Sequence, residues 1–270
     1  MKSTDNIPQL RHLWRQCFHA DNAFLDLFFD KGLKVSKTYA IEKDERIASV
    51  LTVFPIEHKG HPGGYVYGVC TDPSMRGHRY AISLLHELEE KYRAEGTLDF
   101  LILRPASGSL FDYYRKLGYD FDIFRHRTYL SLPLIPAKTE FKSLTAERLF
   151  QLRKRFFYKS GLIEWTTEVC SYILSFIKYS KGHAVEIMNG ESYILSYPDP
   201  DNPGMIICEE AGITSSEDMF FPLSTMRMLY PDAGKVLLTL PQSDTKEKYL
   251  LCKPIKHLPN ESAFFSFAME

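Results

Sequence analysis

The stretch VCTDPSMRGHRYA, Val69 to Ala81, gathers Arg76, His78 and Arg79 around Gly77, immediately ahead of a helical pattern. The first N–H groups of a helix have no acceptor within it, and the helix dipole adds partial positive charge at the same end. Cations there are unfavourable by roughly a few tenths of a kcal/mol each unless an anion is present. The spacing therefore describes a turn poised to hold an anion, mainly by main-chain N–H groups, with small residues letting it come close.

The elements that must position this turn follow from hydrophobic periodicity. Tyr65 to Thr71 reads as a strand leading into it. Ala81, Leu84, Leu85, Leu88 and Tyr92 share one helix face after it, and Gly96 ends that helix. FLIL, Phe100 to Leu103, is a continuous apolar strand of the kind buried on both faces. Ser109 to Leu117 reads as a short helix capped by Ser109 and stopped by Gly118, and Phe124 to Leu132 as a further strand. Upstream, Ile7 to Phe18 is amphipathic, Phe24 to Phe29 forms a second short helix, and Lys37 to Glu42 with Arg46 to Ile56 forms a hairpin.

The pair Pro133 and Pro136 marks an expected domain boundary, giving residues 1–135 and 136–270. The second half repeats the plan: helices at Thr145 to Phe157 and Trp165 to Tyr179, then strands at Ala184 to Met188, Glu191 to Tyr197 and Met205 to Ala211. A helix near Phe220 to Tyr230 and strands at Val236 to Leu240 and Tyr249 to Lys253 complete it. Its counterpart of the cationic turn, AGITSSED, Ala211 to Asp218, has no Arg or Lys. The order describes an α/β fold, a mixed sheet with helices on both faces, made twice.

Composition narrows the function further. The 270 residues are 44% hydrophobic and 25% charged, enough apolar material for a full core without metal or disulfide support. With 33 Lys and Arg against 34 Asp and Glu, the formal charge is -1, so there is no general field for nucleic acid or anionic lipid. MKSTDNIP lacks a signal-peptide core and no apolar run reaches spanning length, so the expected location is cytoplasmic. Cys17, Cys70, Cys170, Cys208 and Cys252 are scattered and read as reduced core residues. His58 and His61 in HKGHPGG lack the companions a metal needs, so no metal is expected and the segment reads as a solvated hairpin turn.

Val69 to Ala81 resembles the acetyl-CoA signature of the GNAT superfamily of N-acetyltransferases, in which R/Q-x-x-G-x-G/A opens a helix after an apolar strand. Arg76 takes the first position and Ala81 the last, while Arg79 stands where the family has its middle glycine. The resemblance implies that acetyl-CoA is the acyl donor, held by Val69, Cys70, Thr71, Arg76, Gly77, His78, Arg79, Tyr80 and Ala81, with a strand N–H near Val69 to Thr71 polarising the thioester carbonyl. It also implies a GNAT fold followed by a second, degenerate GNAT-like domain. LFDYYRKLGY, Leu110 to Tyr119, is similar to the family's L-Y-x-K-x-G-F segment, which implies Tyr114 as general acid toward the CoA thiolate. A phenol with a reference pKa near ~10 keeps its proton at neutral pH and suits that role.

Direct transfer to a primary amine also needs a base, and many family members use a strand Glu where this chain has Tyr65 and Tyr67. Glu57, His58 and His61 are substitutes on the preceding turn. A different solution is suggested by YRKLGY, which is similar to a segment of the tandem-GNAT enhanced-intracellular-survival acetyltransferases, in which the C-terminal carboxylate reaches the active site. This makes the terminal Glu270 a candidate base. The expected partner is a small-molecule or peptide amine, in a pocket lined by aromatic residues such as Phe24, Phe28, Phe29, Tyr65 and Tyr67. The rival reading is a non-catalytic acyl-CoA-binding or sensing protein that kept the cofactor turn and no base.

Overall fold

The structure is a computed structural model that describes residues 1–4, 6–215, 217–242, 245–259 and 263–267. In chain order its elements are β1 (Lys2–Ser3), α1 (Ile7–Phe18), α2 (Asn22–Leu27), β2 (Lys37–Lys43), β3 (Arg46–His58), β4 (His61–Thr71), α3 (Tyr80–Glu95), β5 (Phe100–Leu103) and α4 (Gly108–Arg115). There follow β6 (Phe121–Ser131), β7 (Phe141–Ser143), α5 (Ala146–Phe157), β8 (Ile163–Trp165), α6 (Thr167–Tyr179), β9 (His183–Ile187) and β10 (Ser192–Pro198). β11 (Met205–Gly212), α7 (Phe220–Leu229), β12 (Lys235–Leu240) and β13 (Glu247–Pro254) complete the described elements.

Local sequence explains the helices around the site. Asn6 caps α1 by accepting from the Gln9 N–H at 3.3 Å, and Asp21 caps α2 by accepting from the Phe24 N–H at 2.7 Å. The spacing of Leu84, Leu85, Leu88 and Tyr92 buries one face of α3, and Gly96 closes the helix with φ +64° and its N–H on the Tyr92 carbonyl. All four residues of β5 are buried, as the unbroken FLIL run requires. In α4 the cap position belongs to Ser107 rather than Ser109, and their hydroxyls bond each other at 3.0 Å.

The chain divides into two compact units. The first is Met1–Asp122 with Leu250–Pro259. The second is Ile123–Tyr249 with the described residues that follow Pro259. The division thus falls ahead of the prolines at 133 and 136, and the reason is strand exchange. In the first unit the order is β1-β2-β3-β4-β5-β13, antiparallel throughout except for the parallel pair β4 and β5. In the second it is β7-β9-β10-β11-β12-β6, again antiparallel except for β11 and β12.

The two sheets share one plan, with α3 and α7 as the matching crossovers, and each takes its last strand from the other half of the sequence. Leu251 pairs with Leu103, whereas Leu130 pairs with Val236. Lys253 on β13 secures the first exchange, bonding the Leu117 carbonyl at 2.8 Å and pairing with Glu89 on α3.

Within the second unit the apolar tail is buried. Ser266 is fully enclosed, accepts from Arg153 at 3.3 Å and donates to Glu210, while its carbonyl accepts from the Trp165 indole. Phe265 and Phe267 are also buried there. Glu270 lies outside the described residues.

Candidate active site

The first unit opens where β4 and β5 stop pairing. Their register runs from Gly63 opposite Phe100 to Val66 opposite Leu103, where β5 ends while β4 continues to Thr71. On the other side of β4 the register with β3 slips, so that Gly68 and Val69 together face Leu51, between Cys70 opposite Val50 and Tyr67 opposite Thr52. This is a β-bulge, which turns backbone groups out of the ladder. Gly68 adopts φ +62°, and a Cβ there would come within 2.7 Å of the Trp14 ring. The sequence therefore needs glycine at this point, and Tyr67 to Val69 form a half-exposed stretch on an otherwise buried strand.

Below the bulge sits an aromatic nest from α1 and α2. Trp14 stacks on Phe28 with ring centroids 4.1 Å apart, and Phe24 and Tyr67 lie beside them. Phe28 and Tyr65 are buried and act as core, so the aromatic residues expected to line a pocket divide into packed support and the half-exposed Phe24 and Tyr67. Burial pushes the Tyr67 phenol well above its ordinary pKa, and the nearby Arg104 charge pulls it back. Arg104 follows Leu103 directly and was not singled out by sequence pattern. A cation ending a wholly apolar strand was the available signal.

The cationic turn is built on Asp72, which is buried. Its carboxylate accepts from the Ser74 hydroxyl at 2.6 Å, the Ser74 N–H at 2.8 Å and the Arg46 guanidinium at 2.9 Å. These bonds, the Ser74 hydroxyl foremost, hold the Asp72 carboxyl below the usual carboxylate range. The backbone then turns through Gly77 at φ +86° and Arg79 at φ +62°, both left-handed, into α3. Arg76, His78 and Arg79 are exposed, Tyr80 and Ala81 half-buried.

The first helical bond is from the Ser83 N–H to the Arg79 carbonyl at 3.0 Å. Among the described residues no side chain caps α3, in contrast to α1 and α2, and its first turn carries no acid. The N–H groups that precede Ser83 in this 16-residue helix thus have no helical acceptor and lie beside the exposed Arg76, His78 and Arg79.

Tyr114 on α4 is 8% exposed, edge-on to Tyr113 at 5.1 Å, and its hydroxyl has no hydrogen-bond partner among the described residues. Burial drives its pKa well up, so it holds its proton across the physiological range. Tyr119, in contrast, is core.

The histidines expected on a solvated turn are elsewhere in character. His58 is 1% exposed and bonds His257 at 2.9 Å, while His61 bonds Asp99 at 2.9 Å and stacks on His257 at 3.8 Å. The segment after β13 causes this, because the N–H groups of Ile255, Lys256 and His257 all reach the Asp99 carbonyl. At ~3.3 Å per residue, His61 lies roughly 25 Å along β4 from Val69, which removes both histidines from the thioester end.

In the first unit, parallel strands thus part at a bulge next to a helix that begins without a side-chain cap. Residues 2–121, a little under half of the chain, match the sequence model of the family described as "Acetyltransferase (GNAT) domain". A search against curated proteins finds no match.

Among solved structures, a probable N-acyltransferase of unknown function from Enterococcus faecalis is 14% identical, with a TM-score of 0.73, over 94% of this chain and 72% of that one. Eis1 from Mycobacterium abscessus is 11% identical, with a TM-score of 0.66, over 95% of this chain and 73% of that one. A tandem GNAT protein from the clavulanic acid biosynthesis pathway is 12% identical, with a TM-score of 0.56, over 94% of this chain and 97% of that one. At these identities the likeness is one of fold, and it extends through both units as a tandem arrangement. No described helix is long and apolar enough to cross a membrane.

Proposed function

We propose that this chain is a cytoplasmic N-acetyltransferase that moves the acetyl group of acetyl-CoA directly to a primary amine, with the first unit supplying donor binding and catalysis and the second a degenerate GNAT-like domain. The observation that carries the reading is the uncapped start of α3 behind the left-handed turn at Gly77 and Arg79. There the N–H groups of Tyr80 and Ala81, with Arg76, His78 and Arg79, take the pyrophosphate. Val69, Cys70 and Thr71 run alongside the pantetheine arm, and the bulge at Gly68 frees a main-chain N–H to polarise the thioester carbonyl.

In this reading the neutral amine attacks the carbonyl carbon, the tetrahedral intermediate collapses, and the C–S bond breaks as Tyr114 protonates the departing sulfur. Its unpartnered hydroxyl supports that role. Glu270 remains the candidate base. CoA release from acetyl-CoA, followed across a panel of small and peptide amines, tests the proposal: amine-dependent release is expected.

The rival reading, an acyl-CoA-binding protein without transfer, is favoured by one observation. The strand positions that could bear a base hold Tyr65 and Tyr67, and burial disfavours the charged form of the Tyr67 phenol. CoA binding with no amine acetylated by the wild type, and no change in Tyr114→Phe, would establish it instead.

A further inference from the structure

Two thiols meet at the end of β4. Cys17, near the end of α1, is half-buried and donates to the Thr71 carbonyl at 3.5 Å. Cys70, the residue before Thr71 on the same strand, is buried, and its thiol is the neighbour that most affects the ionisation of Cys17. The same Thr71 carbonyl accepts from Arg76 Nε at 3.5 Å. One carbonyl thus joins the thiol pair to the first cation of the anion-binding turn.

The pair is chemically unequal. The neighbouring Cys70 thiol, helped by Arg76, brings the Cys17 thiol down to about 7, whereas interaction with Cys17 and burial push the Cys70 thiol well up. A half-exposed sulfur that ionises near neutrality beside a buried thiol that stays protonated is the pattern of an attacking and a resolving cysteine. Cys170, Cys208 and Cys252 are buried, and burial raises each of them.

We propose that Cys17 and Cys70 form a peroxide-sensitive dithiol whose closure to a disulfide disturbs the turn at Arg76 and weakens CoA binding. The Cys17 thiolate attacks one oxygen of hydrogen peroxide, the O–O bond breaks, and hydroxide leaves with a proton as water, giving a sulfenic acid. The Cys70 sulfur then displaces the sulfenic oxygen, which departs with the Cys70 proton as a second water. Two thiols are oxidised and one peroxide is reduced to two waters. Closure brings the sulfurs to ~2.05 Å and takes the S–H donor away from Thr71. A reducing compartment does not forbid such a bond, since transient disulfides there are usually sensing or catalytic ones. The effect on CoA rests on the function proposed above, whereas the disulfide does not.

The test uses the full reduced chain, treated with hydrogen peroxide and digested without reductant. Mass spectrometry is expected to show a Cys17–Cys70 cross-linked peptide, the loss of two free thiols and their recovery with dithiothreitol. In Cys70→Ala, a dimedone adduct is expected on Cys17. Over-oxidation of Cys17 to the sulfinic acid with no cross-link, or cross-links spread evenly over the five cysteines, overturns the proposal. Should Cys70→Ala fail to fold, the wild-type map still decides. Titration of CoA into reduced and oxidised protein is expected to show about fivefold weaker binding after oxidation. Equal affinity with the cross-link present refutes the coupling to the turn, whereas no CoA binding in either form counts against the donor site itself.

Discussion

Replacing Arg79 by glycine separates the two things this residue does. It enters α3 in a left-handed conformation, φ +62° and ψ 18°, with no side-chain cap, and its side chain is exposed. Holding a non-glycine residue there costs roughly 1–2 kcal/mol. Glycine removes that strain but adds roughly 0.5–1 kcal/mol of chain entropy to be lost on folding. The net expectation for Arg79→Gly is a gain of about 0.5–1 kcal/mol, or about 1–3 °C in Tm at this size. Against this, under the proposed function the variant loses one charge-assisted contact to the CoA pyrophosphate. At an exposed, screened position that is about fivefold in Kd, and the deficit should shrink as salt is raised.

Thermal melts without ligand and calorimetric titration of CoA at low and high salt read both effects. Arg79→Asn serves as control, since asparagine tolerates the conformation without the charge, and it should match the glycine variant in CoA affinity while gaining less stability. A lower Tm for Arg79→Gly would contradict the strain argument. Tighter CoA binding would mean that the arginine obstructs the site.

Three further outcomes are expected. Tyr114→Phe should lower kcat for amine-dependent CoA release by about 100-fold or more, the general-acid range, with little change in KM for acetyl-CoA, whereas Tyr113→Phe should be near wild type. A Tyr114→Phe enzyme of normal kcat removes the acid role. Gly68→Ala places a Cβ 2.7 Å from Trp14 at a left-handed φ, so urea unfolding should show a loss of about 1–3 kcal/mol. Wild-type stability there would mean that the bulge relaxes freely. Burial holds the His58 pKa down at about 4 against 6.5 when unfolded, so its contribution is complete above about 6.5 and is lost as pH falls toward 4. The Tm of His58→Gln should therefore vary less than that of the wild type between pH 7 and pH 4.5, and a parallel profile argues against His58 as the source.

Much of the scaffold was legible because its signals are local. The apolar stripe from Leu84 to Tyr92, the stop at Gly96 and the unbroken Phe100 to Leu103 run each specify an element without reference to the rest of the chain. Exchange of the last strands was not legible. The alternation that makes Tyr249 to Lys253 a strand says nothing of which edge it joins, and only the paired structure places Leu251 against Leu103. The same limit hid His257 over His58 and Cys17 beside Cys70, contacts between residues far apart in sequence. Arg79 shows the opposite case. A departure read as a question of CoA contact proved to be a question of backbone conformation as well.

Strand exchange also orders the life of the chain in time. While the chain is being synthesised, β5 has its parallel neighbour β4 but lacks β13, which follows only after most of the second unit, up to Tyr249, has been made. The N-terminal unit is begun first and yet completed only near the end of the chain, and until Leu250 to Pro254 arrives it presents the apolar edge of Phe100 to Leu103 as an open ladder. A fragment cut at residue 135 would stay in that unfinished condition. Closure of the donor-binding sheet is thus a report that translation has passed Pro254.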